Sequence, residues 1–411
     1  MLVILKGEKQ MEQEHLLRFS NELSEDKKES LLNKVNLIDY DVLNEIYNNV
    51  NSNEEIINST YEAPSVTDKE KLSLEEIKEL EILGENIIKN NQYAVVTLAG
   101  GQGTRLEFEG PKALYPLEFM NGKTLIEMQA EQILEASKEI GGAISWYLMV
   151  NTENQDIIEQ FMKEKEYFGL EKENIKLFPQ GNIPLIDKNG KILMENKYTI
   201  IEVPDGNGGI YEAMKKHGVL EDIKLKNIKY VITCNIDNIL AKLVDVRYIG
   251  FMEKNKALVS SKSVIKREPK ERVGVFCIKD KKPSVVEYSD ISEEMSEERN
   301  ENGELVYGDS FIGYIILNTE ILEIAAVKKL PYHKAVKKYT YINEEGELIT
   351  PIEPNAYKFE KFIFDIFPYV DKLPIYRVKR EEEFAPIKNK DGEDSPKTAE
   401  ELYKNYMKNN S

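Results

Sequence analysis

The sequence is poor in the residues from which disulfide frameworks and soft-metal centres are built: two cysteines, Cys234 and Cys277, and three histidines in 411 residues. Two cysteines make no framework, their spacing has no metal-ligand pattern, and the scattered histidines form neither a triad nor a metal set. A reducing, cytoplasmic setting is the expectation. No apolar run approaches the roughly 18 residues of a membrane span, and the start, MLVILKGEKQ, is too short to read as a signal peptide. Positive charge is in the minority, with 55 Lys and Arg against 73 Asp and Glu and a net charge of −18. That balance argues against a general nucleic-acid or anionic-membrane binder. It leaves room for a small phosphate-rich ligand, which needs only a few local cations.

What is present describes a soluble globular protein, 41% hydrophobic and 31% charged, long enough for one large domain or two to three smaller ones. No internal repeat is evident. Residues 1–90 alternate apolar and charged residues at helical spacing, from His15-Leu16-Leu17-Arg18-Phe19 through Leu31-Leu32 and Val35 to the stretch Leu72 to Lys89. They read as a helical layer packed on the main domain, with a polar connector at 51–65. From 91 to 330 apolar strands alternate with helices, predicting an α/β domain with a mainly parallel sheet. The strands are Tyr93–Leu98, Ser145–Val150, Ile228–Asn235, Gly274–Ile278, Val285–Tyr288 and Phe311–Leu317; Gln155–Lys163 and Ile210–His217 are helices. Residues 331–411 form a C-terminal α+β region with a hairpin at Glu344-Glu345-Gly346, an amphipathic segment from Lys358 to Asp365, and a polar helical tail.

Ligands of such sheets collect at the carboxyl ends of strands. Tyr93–Leu98 runs into Ala99-Gly100-Gly101-Gln102-Gly103-Thr104-Arg105-Leu106, then Pro111-Lys112, and a helical pattern follows from Thr124 to Ser137. Glycines let backbone N–H groups approach an anion, and Arg105 and Lys112 supply charge. Pro204-Asp205-Gly206-Asn207-Gly208-Gly209 lies between an apolar run and a helix, where backbone groups and Asn207 could read a base edge and a sugar hydroxyl. Tyr230 to Asn235 leads to Asp237, a carboxylate just past a strand end and a candidate Mg2+ ligand. Asp245 is a weaker second acid.

These stretches resemble the sugar-nucleotide pyrophosphorylases, above all the UDP-N-acetylhexosamine pyrophosphorylase family, with its LAGGQGTRLG followed by PKG and its PDGNGG turn. The resemblance covers residues 15 to 389, including the helical N-terminal region around HLLRF. It implies a Rossmann-like nucleotidyltransferase domain and a uridylyltransferase that joins UTP to a sugar 1-phosphate with Mg2+. Arg105, Lys112 and Lys388, the last in Glu383-Phe384-Ala385-Pro386-Ile387-Lys388, would be catalytic. Leu98, Gly100, Gly101, Gln102, Gly103, Thr104, Gln180, Pro204 and Gly206 would hold the nucleotide. Asn207, Glu287, Tyr288, Phe362 and Phe364 would meet the sugar, and Asp237 the metal. His333, in the family pattern Leu-Pro-Tyr-His, reads as structural, and a monomer is expected.

Four positions depart from the family. Glu107 and Ala113 stand in place of glycines. Ile312 and Gly313 replace an Asn-His pair whose asparagine meets the sugar's N-acetyl group, and isoleucine cannot hydrogen-bond an acetamido group. N-acetylglucosamine 1-phosphate is the substrate the resemblance implies; glucose or galactose 1-phosphate is the alternative that Ile312 favours. A catalytically silent nucleotide-binding regulator is a third reading. A dinucleotide-dependent oxidoreductase is disfavoured, because Arg105 and Pro111-Lys112 interrupt the glycine fingerprint it would need.

Overall fold

Tyr93–Leu98 is buried at all six positions, as an apolar run closed in on both faces of a parallel sheet should be. The computed structural model describes residues 13–51 and 59–409; the start at residues 1–10 and most of the expected connector, 52–58, lie outside the described residues. The chain packs as two compact units. One is drawn from Met1–Asn58, Gly181–Gly209 and Leu330–Ile363, the other from Ser59–Gln180, Ile210–Lys329 and Phe364–Ser411. The stretches 1–90, 91–330 and 331–411 each contribute to both.

In the larger unit the main run of the sheet has the order Val66–Asp68, Ile375–Arg377, Val259–Ile265, Asp309–Asn318, Tyr230–Asn235, Tyr93–Leu98, Ser145–Val150, Ile175–Pro179. Every neighbouring pair is parallel except those made by Asp309–Asn318, which is antiparallel to both its neighbours. The α/β reading with a mainly parallel sheet therefore holds. Leu125–Ala136 begins in a capping box in which Thr124 and Glu127 satisfy each other's backbone N–H. Its Leu125, Ile126, Ala130 and Ile133 pack in the apolar cluster that also takes Val95, Trp146, Leu148 and Ile232 from the sheet. Leu74–Lys89, capped in the same way by Ser73 and Glu76, packs along Val246–Asn255. The tail is helical over Pro396–Asn409.

The smaller unit builds its own core. Leu31 and Val35 of the helix Glu25–Leu37, with Leu43 and Ile46 of Tyr40–Asn51, pack on Ile183, Leu185, Ile186, Met194, Ala356 and Phe359. The helices of residues 1–90 thus do not form one layer: the first two belong to this core, whereas Leu74–Lys89 belongs to the larger unit. The expected hairpin is present as Tyr341–Ile342 paired with Leu348–Ile349. The expected amphipathic segment from Lys358 is formed by the end of a strand, Ala356–Glu360, and a 3-10 helix, Ile363–Tyr369.

Several strands of the larger unit escaped the sequence pattern, among them Val66–Asp68, Ile175–Pro179, Val259–Ile265 and Ile375–Arg377. Val259–Ile265 has the clearest reason. Ser260, Ser261, Lys262 and Ser263 are polar yet fully buried, because each is satisfied by a distant partner. Ser260 donates to the Pro374 carbonyl, Ser261 to that of Tyr314, and Ser263 to the Asp309 carboxylate. Lys262 pairs with Asp245 at 2.7 Å and Glu383 at 2.5 Å.

Candidate active site

The glycine loop closes on itself before it meets any ligand. Gly103 N–H donates to the Gly110 carbonyl at 3.1 Å, and Lys112 N–H to the Gly101 carbonyl at 3.1 Å. Leu98 is buried at the end of its strand, whereas Gly101, Gln102, Thr104 and Arg105 are exposed. Gly100 has a specific reason to be glycine: a Cβ there would stand 2.5 Å from Gln180 Oε1. Gln180 thereby lies against the loop, its backbone N–H held by the Val150 carbonyl at 2.8 Å.

Lys112 is 7% exposed and directs its ammonium to Asp237 Oδ2 at 2.7 Å. One contact thus joins the loop's cation to the strand-end acid. The segment carrying Lys388 is fastened to the same strand end. Asn238, buried, donates from Nδ2 to the Glu383 carbonyl at 2.7 Å and accepts the Ala385 N–H on Oδ1 at 2.8 Å. Ile387 N–H donates to the Asp237 carbonyl at 2.9 Å. Lys388 itself is half-buried and paired with Asp394 at 3.1 Å. Two residues on, Lys390 donates its backbone N–H to the Arg105 carbonyl at 3.0 Å and pairs its ammonium with Glu107 at 2.5 Å. Arg105, Lys112, Asp237 and Lys388 are therefore brought together in one unit. Among them the Arg105 guanidinium makes no ion pair with a described residue.

Glu107 occupies a left-handed conformation, φ 53 and ψ 33, at the end of the short helix Thr104–Leu106. The family's glycine at this position is thus explained by backbone geometry, and this chain sustains the same turn with a glutamate. Ala113, the other replacement, is buried in the apolar cluster.

In the smaller unit the Pro204–Gly209 turn is pinned by the chain at 361–363. Lys361 N–H donates to the Asp205 carbonyl at 2.8 Å, Gly208 N–H to the Lys361 carbonyl at 2.9 Å, and Ile363 N–H to Asn207 Oδ1 at 2.9 Å. Gly206 and Asn207 so lie beside Phe362, whose ring lies against that of His333, tilted by 32° with centroids 4.4 Å apart. His333 and Phe362 support each other, in keeping with a structural histidine.

Three further expected residues, Glu287, Tyr288 and Phe364, also belong to the larger unit. Glu287 and Tyr288 follow directly on the strand Lys282–Val286, Glu287 half-buried and Tyr288 exposed. Phe364 is buried, edge-on to Phe311 at 5.4 Å. Asp245 is no loop acid: its carboxylate caps the helix Val246–Asn255 through the Tyr248 N–H and pairs with Lys262. Burial opposes its ionisation, yet the Lys262 ammonium holds its carboxyl below the usual range. Burial pushes the Cys234 and Cys277 thiols up to about 12, so neither is a nucleophile. Asn238 was the residue missed. A polar side chain beside the strand-end acid was its only signal, and its partners lie about 145 residues away.

Among the described residues no group of three or more His, Cys, Asp or Glu could hold a metal. Asp237 still suits one of the hard divalent kind. Its second oxygen bonds no described residue, and such ions take one or two carboxylates plus phosphate oxygens rather than a protein cage.

The family described as UTP–glucose-1-phosphate uridylyltransferase matches residues 40–394. The chain belongs to that family. It is 38% identical to a Xenopus tropicalis UDP-N-acetylhexosamine pyrophosphorylase-like protein 1 over 79% of its own length and 66% of the relative's. It is 37% identical to the Saccharomyces cerevisiae UDP-N-acetylglucosamine pyrophosphorylase, over 78% of this chain and 70% of the yeast one. The chain thus spans about two thirds of these curated relatives. The solved uridine diphosphate N-acetylglucosamine pyrophosphorylase of Trypanosoma brucei superposes with a TM-score of 0.82 at 31% identity, over 95% of this chain and 82% of that one. No helix among the described residues is long and apolar enough to cross a membrane.

Proposed function

We propose that the chain is a uridylyltransferase that joins UTP to N-acetylglucosamine 1-phosphate, giving UDP-N-acetylglucosamine and pyrophosphate. The observation that carries the reading is the Lys112–Asp237 contact at 2.7 Å under a glycine loop, with the Lys388 segment bonded to the same strand end. The names of the yeast and trypanosome relatives support the choice of sugar nucleotide.

In the reaction a phosphate oxygen of the sugar 1-phosphate attacks the α-phosphorus of UTP in line. The new P–O bond forms as the bond from the α-phosphorus to the bridging oxygen breaks, and pyrophosphate leaves with that electron pair. The attacking oxygen is already ionised at neutral pH, so no base and no covalent enzyme intermediate are required. The protein's work is positioning and neutralisation of two polyanions. Arg105, exposed and without an ion-pair partner, and the backbone of Gly100 to Thr104 receive the triphosphate. Lys112 neutralises charge at the phosphates, and Lys388 offsets the nucleophile once it leaves Asp394. Gln180, Pro204 and Gly206 are assigned to the uridine, and Asn207, Glu287, Tyr288, Phe362 and Phe364 to the sugar. Asp237 would hold Mg2+, which when bound supplies positive charge at the phosphate oxygens.

The second reading, glucose or galactose 1-phosphate, rests on Ile312, which is 4% exposed within the apolar cluster and offers no hydrogen bond. Pyrophosphate release with UTP, Mg2+ and the 1-phosphates of N-acetylglucosamine, N-acetylgalactosamine, glucose and galactose tests both. Preference for N-acetylglucosamine supports the proposal, and preference for a plain hexose replaces it. We propose a reducing, cytoplasmic setting, which the two free, buried cysteines suit, and a monomeric enzyme.

A further inference from the structure

Ile312 and Gly313 take away the family's acetamido-reading asparagine, and the structure sets another amide, that of Asn235, beside them. Gly313 has φ +80, a conformation that favours glycine, and a Cβ built there would stand 2.6 Å from Asn235 Nδ2. The Asn235 amide therefore fills the space that a side chain at 313 would take. The two residues hold each other's identity: any larger residue at 313 would displace the amide.

Asn235 is well placed to act on a ligand. It ends the strand Tyr230–Asn235, pairs in register with Leu98 at the mouth of the glycine loop, and lies two residues before Asp237. Its backbone is fixed, since its carbonyl accepts the Gln129 Nε2–H at 3.3 Å. Its side chain is half-buried and makes no hydrogen bond with any described residue, so two acceptor and two donor positions stay open. Leaving such a group unmet costs stability unless a ligand or solvent satisfies it. Two residues from Gly313 on the neighbouring strand, Phe311 is half-buried and backed edge-on by Phe364 at 5.4 Å.

We infer that Asn235 is the residue that distinguishes an N-acetylated sugar from a plain hexose in this chain, an inference that rests on the uridylyltransferase reading above. An acetamido group presents one carbonyl acceptor, one N–H donor and a methyl. A primary amide meets the first two with its own donor and acceptor, and the Phe311 ring offers an apolar surface for the methyl. Ile312 then needs no polar role and stays in the core.

The test compares kcat/KM for N-acetylglucosamine 1-phosphate and glucose 1-phosphate, with UTP saturating, in the wild type, Asn235→Ala and Asn235→Asp. Thermal melts and the KM for UTP are followed in parallel. The expected result is a preference for the acetamido sugar that falls roughly tenfold to a hundredfold in Asn235→Ala, as the loss of one or two hydrogen bonds to a ligand would give. Asn235→Asp, which keeps an acceptor and loses the donor, should fall between. A preference ratio that stays constant while both sugars weaken together overturns the inference, as does a wild type with no preference. A wild type that turns over no sugar 1-phosphate overturns the uridylyltransferase reading itself, which the same experiment reports before any variant is made.

Discussion

The ammonium of Lys112 lies 2.7 Å from Asp237 Oδ2, and both side chains are largely shielded from solvent. A cation from the glycine loop and an acid just past the neighbouring strand of the sheet are thereby held as a pair. In the proposed reaction each takes on a second task when phosphates arrive. Replacing Lys112 by Met removes the cation and leaves Asp237 without a partner. We expect kcat/KM for pyrophosphate release to fall by about a hundredfold to a thousandfold, the size of effect seen when one preorganised charge stabiliser is lost. A variant retaining activity within tenfold would remove Lys112 from the catalytic set.

Asn238 joins the same strand end to the segment that carries Lys388. In Asn238→Ala the buried Glu383 carbonyl and Ala385 N–H lose their partner, at a cost of about 1–3 kcal/mol per group left unsatisfied. The melting temperature should drop, and kcat should drop further than KM for UTP rises, because Lys388 is displaced while the glycine loop is not. Equal and small changes in both kinetic constants would make Asn238 a purely structural residue.

Glu107 holds a left-handed conformation at a position the family gives to glycine. That conformation costs a residue with a side chain roughly 1–2 kcal/mol, and its partner Lys390 is exposed, where ion pairs contribute little. Glu107→Gly should therefore raise the melting temperature by about 1–3 °C. A fall would show that the Glu107–Lys390 contact matters more to the turn than its backbone conformation does.

Lys262 is fully buried between Asp245 and Glu383. Lys262→Met leaves both acids without that cation, and removing one partner of a buried pair costs about 3–5 kcal/mol. The pH dependence should also change sign. In the wild type Asp245 titrates lower when folded than unfolded, so its contribution is present above the unfolded value of about 3.9 and lost as pH falls through the lower folded value. Lys262 titrates higher when folded, so its contribution is complete below about 10.4 and is lost as pH rises through the folded value. In Lys262→Met the buried Asp245 loses the ammonium that offsets its burial and prefers its protonated form, so the variant should become more stable as pH is lowered from 7 to 5. Denaturant melts at both pH values read this directly, and a variant that weakens on acidification contradicts it.

Much of the candidate site was legible because its chemistry is local in sequence. A buried strand running into glycines and then into Arg105 and Lys112 declares itself within 20 residues, as does an acid just after Tyr230–Asn235. What could not be read depends on partners far along the chain. Val259–Ile265 looks too polar to be a core strand until Lys262 is seen to meet a glutamate 121 residues away. The helices near the N-terminus declare their type but not their partners, since Leu31 and Leu43 pack on residues from 183 to 359. Ile312 reads as a loss from sequence alone, whereas the structure shows that the Asn235 amide occupies the space beside Gly313.

The most direct test of the proposed activity follows the α-phosphorus. UTP labelled at that atom is incubated with the protein, Mg2+ and N-acetylglucosamine 1-phosphate, and the products are separated. The account predicts that the label appears in UDP-N-acetylglucosamine, that the released pyrophosphate is unlabelled, and that Lys112→Met all but abolishes the transfer. Label that stays in UTP, or that is released as UMP whether or not the sugar phosphate is present, would contradict it.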